Sequence, residues 1–150
     1  MSRYVFLDSG PLGMVTNPKA TPLTVECQLW LDSLPSRGYA AILPEITDYE
    51  VRRELMRAGK VAGIRQLDLL KNLIQYLPIS TEAMLKAAQL WAESRRRGRT
   101  TADPKELDGD VILAAHAILL ANQGNEVVIA TTNVRHLSQF FDAREWRLIE

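Results

Sequence analysis

Short apolar runs that alternate with helix-like segments limit the fold of this chain more than any other feature. The runs have the length and composition of buried strands, and they lie at residues 4–7, 40–43, 76–79, 127–131 and 146–149. Helices are predicted between them at residues 22–34, 47–58, 60–72 and 81–97, and from 107 or 109 to 121. Strands separated by helices indicate an α/β protein whose sheet is mainly parallel and covered on both faces.

Length and composition fit one compact domain over residues 1–150, because 47% of the residues are hydrophobic. The formal net charge is zero, which argues against broad electrostatic binding of nucleic acid but allows a local basic patch. Cys27 is the only cysteine, so no internal disulfide can form. With no signal peptide and no membrane-spanning run expected, the sequence predicts a cytoplasmic location.

Polar residues follow two of the predicted strands. In parallel sheets, ligand sites form outside the carboxyl ends of the strands. Asp8 directly follows the first strand, Thr131 ends the fourth, and Asn133 comes two residues later. Asp8 is therefore a candidate metal ligand, although an aspartate before Ser-Gly-Pro can also accept backbone hydrogen bonds in a turn.

Two further acidic segments are candidates. Glu50 lies on a predicted helix, but Thr47 and Glu50 also match a capping box, in which Glu50 would bond back to the Thr47 N–H. Asp108 and Asp110 are two residues apart, so both can serve one site only if the helix begins between them. Asp110 can also be a first-turn acid that the helix dipole stabilises.

Carboxylates from separate elements suit a hard divalent cation such as Mg²⁺ or Mn²⁺. Such an ion can orient a phosphodiester and activate a water molecule. No set of cysteines and histidines offers a zinc site, since His116 lies within an apolar helix and His136 follows the fourth strand.

Four ordered segments resemble PIN domains. They are residues 6–12 (Phe-Leu-Asp-Ser-Gly-Pro-Leu), 45–51 (Glu-Ile-Thr-Asp-Tyr-Glu-Val), 110–117 (Asp-Val-Ile-Leu-Ala-Ala-His-Ala) and 129–137 (Ile-Ala-Thr-Thr-Asn-Val-Arg-His-Leu). The last resembles the corresponding segment of VapC-type toxins. The resemblance implies a three-layer α/β/α fold with a mainly parallel five-stranded sheet and RNA cleavage that depends on Mg²⁺ or Mn²⁺. It also implies a homodimer that a small antitoxin holds inactive.

Carried over by position, Asp8, Glu50 and Asp110 are the acidic metal ligands. Asn133 departs from the family pattern, because many relatives carry an acid there, and others carry it where this chain has His136. Asn133 can still bind metal or position a phosphate through its amide, or cap the turn that follows it. Asp108 is a candidate for supplying the missing charge.

Substrate contacts are predicted at Ser9, at Thr131 and at the basic run Arg95, Arg96 and Arg97. The basic run suits RNA phosphates, and it also suits the C-terminus of a helix. The leading hypothesis is a metal-dependent endoribonuclease. The alternative is a PIN-like module that binds RNA or a protein without cutting. An unrelated doubly wound enzyme, such as a phosphotransferase, is disfavoured because the chain has no glycine-rich phosphate loop.

Overall fold

The computed structural model describes residues 2–98 and 104–150. Within them, five strands form one sheet: β1 Arg3–Leu7, β2 Ala40–Pro44, β3 Gln75–Leu77, β4 Glu126–Thr131 and β5 Ala143–Glu145. Seven α-helices of the same residues surround it: α1 Ser9–Val15, α2 Pro22–Ser33, α3 Glu45–Arg57, α4 Val61–Leu73, α5 Thr81–Arg96, α6 Pro104–Asn122 and α7 Val134–Leu137. The predicted alternation of strands and helices is confirmed.

The sheet has the strand order β3-β2-β1-β4-β5, and all four pairings are parallel. β1 lies at its centre, between β2 and β4. The chain extends the sheet on the β2 side first and returns later to add β4 on the other side. The carboxyl ends of β1 and β4 therefore form the switch point of the sheet, where α/β proteins bind their ligands.

Helices cover both faces of the sheet. Val5 and Leu7 of β1 pack with Trp30 of α2, whereas Phe6 between them packs with Leu113 of α6. Successive residues of a strand point to opposite faces, so burial on both sides requires an uninterrupted apolar run. This packing confirms the three-layer α/β/α arrangement.

The last strand was predicted wrongly. Residues 146–149 were expected to form it, but β5 ends at Glu145 and a 3-10 turn follows at Trp146–Leu148. Trp146 is buried and meets Trp30 edge to face, with 5.7 Å between the ring centroids. The apolar character of this segment comes from its packing under α2, which a sequence pattern cannot distinguish from strand pairing.

Two helix boundaries position the cleft described below. The turn considered at Ser9 is instead the start of α1, and Pro11 falls in the first turn of that helix, where a missing N–H is tolerated. α3 ends before Gly59, as expected, and Gly59 adopts a φ of 65° that favours glycine. The sequence between the predicted helices that end at 97 and begin at 107 or 109 is polar and predicts a loop, and its residues 99–103 lie outside the described residues. No helix in the described part of the chain is both long and apolar enough to cross a bilayer.

Candidate active site

A cleft of about 680 Å³ opens at the carboxyl ends of β1 and β4. The four predicted catalytic residues line it, and each comes from a different segment: Asp8, Glu50, Asp110 and Asn133. Asp8 follows β1, Glu50 lies on α3, Asp110 lies on α6, and Asn133 follows β4. The fold thus brings together residues that are far apart in the sequence.

Asp8 is fixed by its neighbours in the sheet. Its backbone N–H donates to the carbonyl of Ala130, and its own carbonyl accepts from the N–H of Leu12, with both distances 3.0 Å. The side chain does not cap α1; instead, the hydroxyl of Thr131 donates to Asp8 Oδ2 at 2.7 Å. The Asp8 carboxylate is therefore held from the adjacent strand.

The protonation of Asp8 reflects its position at the floor of the cleft. Only 8% of the residue is exposed. Burial raises the pKa of Asp8, and hydrogen bonds from the Thr131 hydroxyl and the Ser9 backbone N–H oppose that rise. A carboxylate that burial makes harder to ionise gains strongly from a nearby cation.

Thr131 contacts Asp8 and does not line the cleft in which its contact with substrate was predicted. It is fully buried, so its side chain does not reach the open cleft. Its hydroxyl donates to Asp8 and accepts from the backbone N–H of Asn133 at 2.8 Å. One hydroxyl group thereby links the residues that follow β1 and β4.

Glu50 does not form the predicted capping box. α3 begins at Glu45, so Thr47 already lies inside the helix, and its hydroxyl donates to the Pro44 carbonyl at 2.9 Å. The capping prediction was wrong because the helix starts directly after β2, with Pro44 as its N-cap. Glu50 consequently lies one turn further into α3, where it lines the cleft.

Glu50 also touches the start of α6 at a residue that the sequence did not single out. A Cβ atom placed on Gly109 would lie 2.6 Å from Glu50 Oε2, so a side chain at this position would require the end of the Glu50 side chain to move. A similar approach occurs at Gly10, where a Cβ atom would lie 2.5 Å from Thr132 Oγ1. Ser9, beside Gly10, lines the cleft as a candidate substrate contact.

Asp108 and Asp110 do not line the same cleft. α6 begins at Pro104, before both residues, so the condition for a shared site is not met. Asp110 lines the cleft, whereas Asp108 is exposed and lines a neighbouring pocket together with Tyr49. The structure does not bring Asp108 to the site that was predicted for it.

Asn133 occupies the N-cap position of α7, but its side chain makes no capping hydrogen bond, so that alternative was wrong. Its amide nitrogen instead pairs with Nδ1 of His136 at 2.8 Å. Because an amide nitrogen only donates, Nδ1 of His136 is the acceptor in this pair. The carbonyl oxygen of Asn133 is then the atom that can bind a metal ion, as a neutral ligand.

The predicted basic run lies away from this cleft. Arg95, Arg96 and Arg97 are exposed at the C-terminal end of α5, and the Arg95 guanidinium lies 5.0 Å from the centre of the Trp91 ring. The described lining of the cleft contains none of them. It contains three other basic residues: Arg53, Arg57 and Lys60.

The four predicted catalytic side chains of the cleft offer the kind of donor atom that a hard divalent cation prefers. Three carboxylates and an amide supply only oxygen ligands, which Mg²⁺ and Mn²⁺ prefer. Among the described residues, however, no three acidic, histidine or cysteine side chains are already close enough to chelate one ion. Carboxylates repel one another, so drawing them together requires a positive charge between them.

Solved structures share this backbone arrangement over almost the whole chain. The VapBC2 structure from Rickettsia felis, bound to a DNA fragment of its promoter, has a TM-score of 0.70 and 14% identity, covering 94% of this chain and 97% of that one. VapBC-1 from nontypeable Haemophilus influenzae has a TM-score of 0.68 and 16% identity, covering 96% and 98%. The chain has a VapC-like PIN-domain fold.

A third example of the VapC-like fold is VapC20 from Mycobacterium tuberculosis, a sarcin–ricin loop cleaving toxin. Its TM-score is 0.61 at 13% identity, covering 91% of this chain and 95% of that one. No protein-family model and no curated protein matches the sequence. The VapC-like fold is therefore recognised from the backbone, and identities this low speak to the fold alone.

Proposed function

We propose that this protein is an endoribonuclease that depends on Mg²⁺ or Mn²⁺. The observation that carries the proposal is the meeting of Asp8, Glu50 and Asp110 in one cleft at the switch point of a VapC-like fold. One similar structure is a toxin that cleaves the sarcin–ricin loop, which supports RNA as the substrate class.

The three carboxylates would hold the metal, and Asn133 would complete the site through its carbonyl oxygen. When bound, such an ion orients a phosphodiester, lowers the pKa of a water molecule and stabilises the leaving oxygen. Thr131, which donates to Asp8, would keep the Asp8 carboxylate in place, and Ser9, which lines the cleft, would contact the substrate. Because Asn133 carries no charge, we expect one firmly held ion rather than two.

The proposal includes partners and location. Similar structures are VapBC assemblies, which supports a small antitoxin as a partner of this protein. We also propose a homodimer, since a net charge of zero opposes association less than a large charge does. A chain with one buried cysteine suits the reducing cytoplasm.

A second candidate is a PIN-like module that binds RNA or a protein without cutting. One observation favours it. Asn133 stands where an acid would add charge. Metal affinity separates the two candidates, because a non-catalytic module has no need of the ion.

The first test is cleavage of a labelled RNA with Mg²⁺ or Mn²⁺, with and without EDTA. We expect the parent protein to cleave, EDTA to stop it, and Asp8→Asn or Asp110→Asn to reduce cleavage below detection. These substitutions remove a charge while keeping the shape of the side chain. Asp32→Asn is the matched control, because Asp32 is exposed on α2 and lies outside the cleft.

Calorimetric titration with MnCl₂ completes the test. A parent protein that binds no Mn²⁺ at millimolar concentration supports the non-catalytic module. Asp8→Asn and Asp110→Asn variants that fold and cleave RNA as fast as the parent would show that the assignment of the site is wrong.

A further inference from the structure

One face of α3 lines the cleft over its whole second half. Glu50, Arg53, Glu54 and Arg57 all line it, and their spacing of three, four and seven residues places them on one side of a helix. The same helix therefore presents a carboxylate at the candidate metal position and cations farther along. Lys60 continues this row in the turn before α4 and also lines the cleft.

The cations at the far end are available to a ligand. The Arg57 side chain is 70% exposed and pairs with Glu54, which is itself 64% exposed. Solvent screens the attraction within an exposed pair of this kind, so an anionic ligand can replace Glu54 as the partner of Arg57. Lys60 is exposed as well, and its backbone N–H bonds to the Leu55 carbonyl independently of its side chain.

Arg53 contacts an aromatic ring, whereas Arg57 pairs with a carboxylate. The Arg53 guanidinium lies 5.0 Å from the centre of the Tyr49 ring, which fixes it near the carboxylate end of the row. Arg57 and Lys60 are thus the basic residues of the row that lie farthest from Glu50 along the chain.

Distance along the helix decides what Arg57 can contact. Seven residues of an α-helix span about 10 Å, so Arg57 lies about two turns beyond Glu50. If the reacting phosphate of an RNA strand lies at the carboxylates, the phosphate that reaches Arg57 and Lys60 is a neighbouring one. These cations are therefore suited to hold the RNA strand at a neighbouring phosphate.

We propose that Arg57 and Lys60 form a phosphate-binding edge that sets the path of a single RNA strand along α3 into the cleft. This inference rests on the proposed function for its substrate class. It assigns strand positioning to α3 in place of the Arg95, Arg96 and Arg97 run, which the described lining of the cleft does not include.

The test measures binding of fluorescent oligouridylate RNA in EDTA, so that no cleavage occurs, across a range of salt concentrations. Each phosphate contact with a single strand contributes about 0.7 to the slope of log affinity against log salt. For Arg57→Ala/Lys60→Ala we expect weaker binding and a slope that is smaller by about 1.4. Arg96→Ala/Arg97→Ala removes the same charge from the competing run, and we expect its slope to stay near that of the parent.

Glu54→Gln provides a second measurement that does not depend on removing a cation. It frees Arg57 from its carboxylate partner and removes a negative charge beside the proposed path, so we expect tighter RNA binding. Glu93→Gln on α5 is the matched control, because Glu93 lies outside the cleft lining. A merely structural role of the Arg57 pair predicts no gain in affinity for Glu54→Gln.

Equal loss of slope in the two double variants, or no loss in either, would overturn the phosphate-binding edge. So would a parent protein that does not bind the RNA. Because the assay contains no metal, its result is separate from that of the cleavage assay. A parent that binds along α3 but never cleaves with Mn²⁺ supports this inference and contradicts the proposed nuclease.

Discussion

Gly109 has no side chain, and this allows the Glu50 carboxylate to lie close to α6 at the candidate site. Its Cα surface lies against the Glu50 carboxylate, so α3 and α6 approach each other at the cleft. Glycine in the interior of a helix costs about 1 kcal/mol relative to alanine. The contact with Glu50 offers a reason for a glycine at this position of α6 despite that cost.

Gly109→Ala should separate stability from function. We expect the thermal midpoint to be unchanged or higher, because alanine favours the helix and the end of the Glu50 side chain can move aside. We expect Mn²⁺ affinity and RNA cleavage to fall about 10–100-fold, the usual effect of disturbing the support of a metal ligand. Differential scanning fluorimetry, calorimetry and the cleavage assay measure the three quantities.

The control for this substitution is Gly13→Ala in α1, which also lines the cleft but where an added Cβ atom would have no neighbour within 4 Å. It carries the same change in helix propensity without the contact to Glu50. If Gly109→Ala binds Mn²⁺ as tightly as Gly13→Ala does, Glu50 is not a ligand held by this contact.

At the scale of elements, two faces of α3 make different contacts. One face lines the cleft, and the other connects α3 to α4 through Arg52. The Arg52 guanidinium bonds to Asp48 on its own helix at 3.0 Å and to Asp68 on α4 at 2.9 Å. Asp48 is buried, whereas the Asp68 side chain is 57% exposed, so the two carboxylates depend on Arg52 to different degrees.

We predict that Arg52→Ala lowers the free energy of unfolding by about 1–3 kcal/mol, because it leaves the buried Asp48 carboxylate without its cation. Asp68→Ala should cost no more than about 1 kcal/mol, since it breaks only a solvent-screened pair. Urea unfolding followed by circular dichroism measures both. Equal losses for the two variants would mean that Asp48 does not need Arg52.

The sequence indicated the elements well and their ends less well. The central strands are apolar because both faces of the sheet are covered, so β1, β2 and β4 were evident from composition. The start of α3 was displaced because a Thr-x-x-Glu pattern imitates a capping box, while Pro44 is the actual N-cap. Local patterns indicate where a helix can begin, and the strand before it decides where it does begin.

At the scale of the whole molecule, we expect His116 to make stability depend on pH. It lies in α6 and is only 4% exposed, and its Nε2 atom has no hydrogen-bond partner among the described residues. Burial lowers the pKa of His116, and the negative charge of Glu45 opposes this effect. The folded protein therefore resists protonating a side chain that the unfolded chain protonates with a pKa of about 6.5.

The sign of the effect follows from proton uptake. Below about pH 6.5 the unfolded state binds a proton that the folded state refuses, so stability falls as the pH drops. We expect the thermal midpoint of the parent to decline between about pH 7.5 and 5.5, and His116→Leu to decline less over this range. Parallel pH profiles for His116→Leu and the parent would contradict this role.

The sequence alone determined the alternation of strands and helices and the acids at their ends. Asp8 and Asn133 were found because residues that follow parallel strands share one edge of the sheet, whichever helices cover it. The similarity to VapC structures agrees with the fold that this pattern predicted. These conclusions needed only local composition and the general geometry of parallel sheets.

The tertiary structure decided which neighbouring side chains share the cleft. Asp110 enters it and Asp108 does not, because α6 begins before both residues. The dense arginine run lies elsewhere, while Arg57 on α3 lines the cleft. The physical reason is that helix phase and packing direction depend on contacts between elements distant in sequence, which no local pattern records.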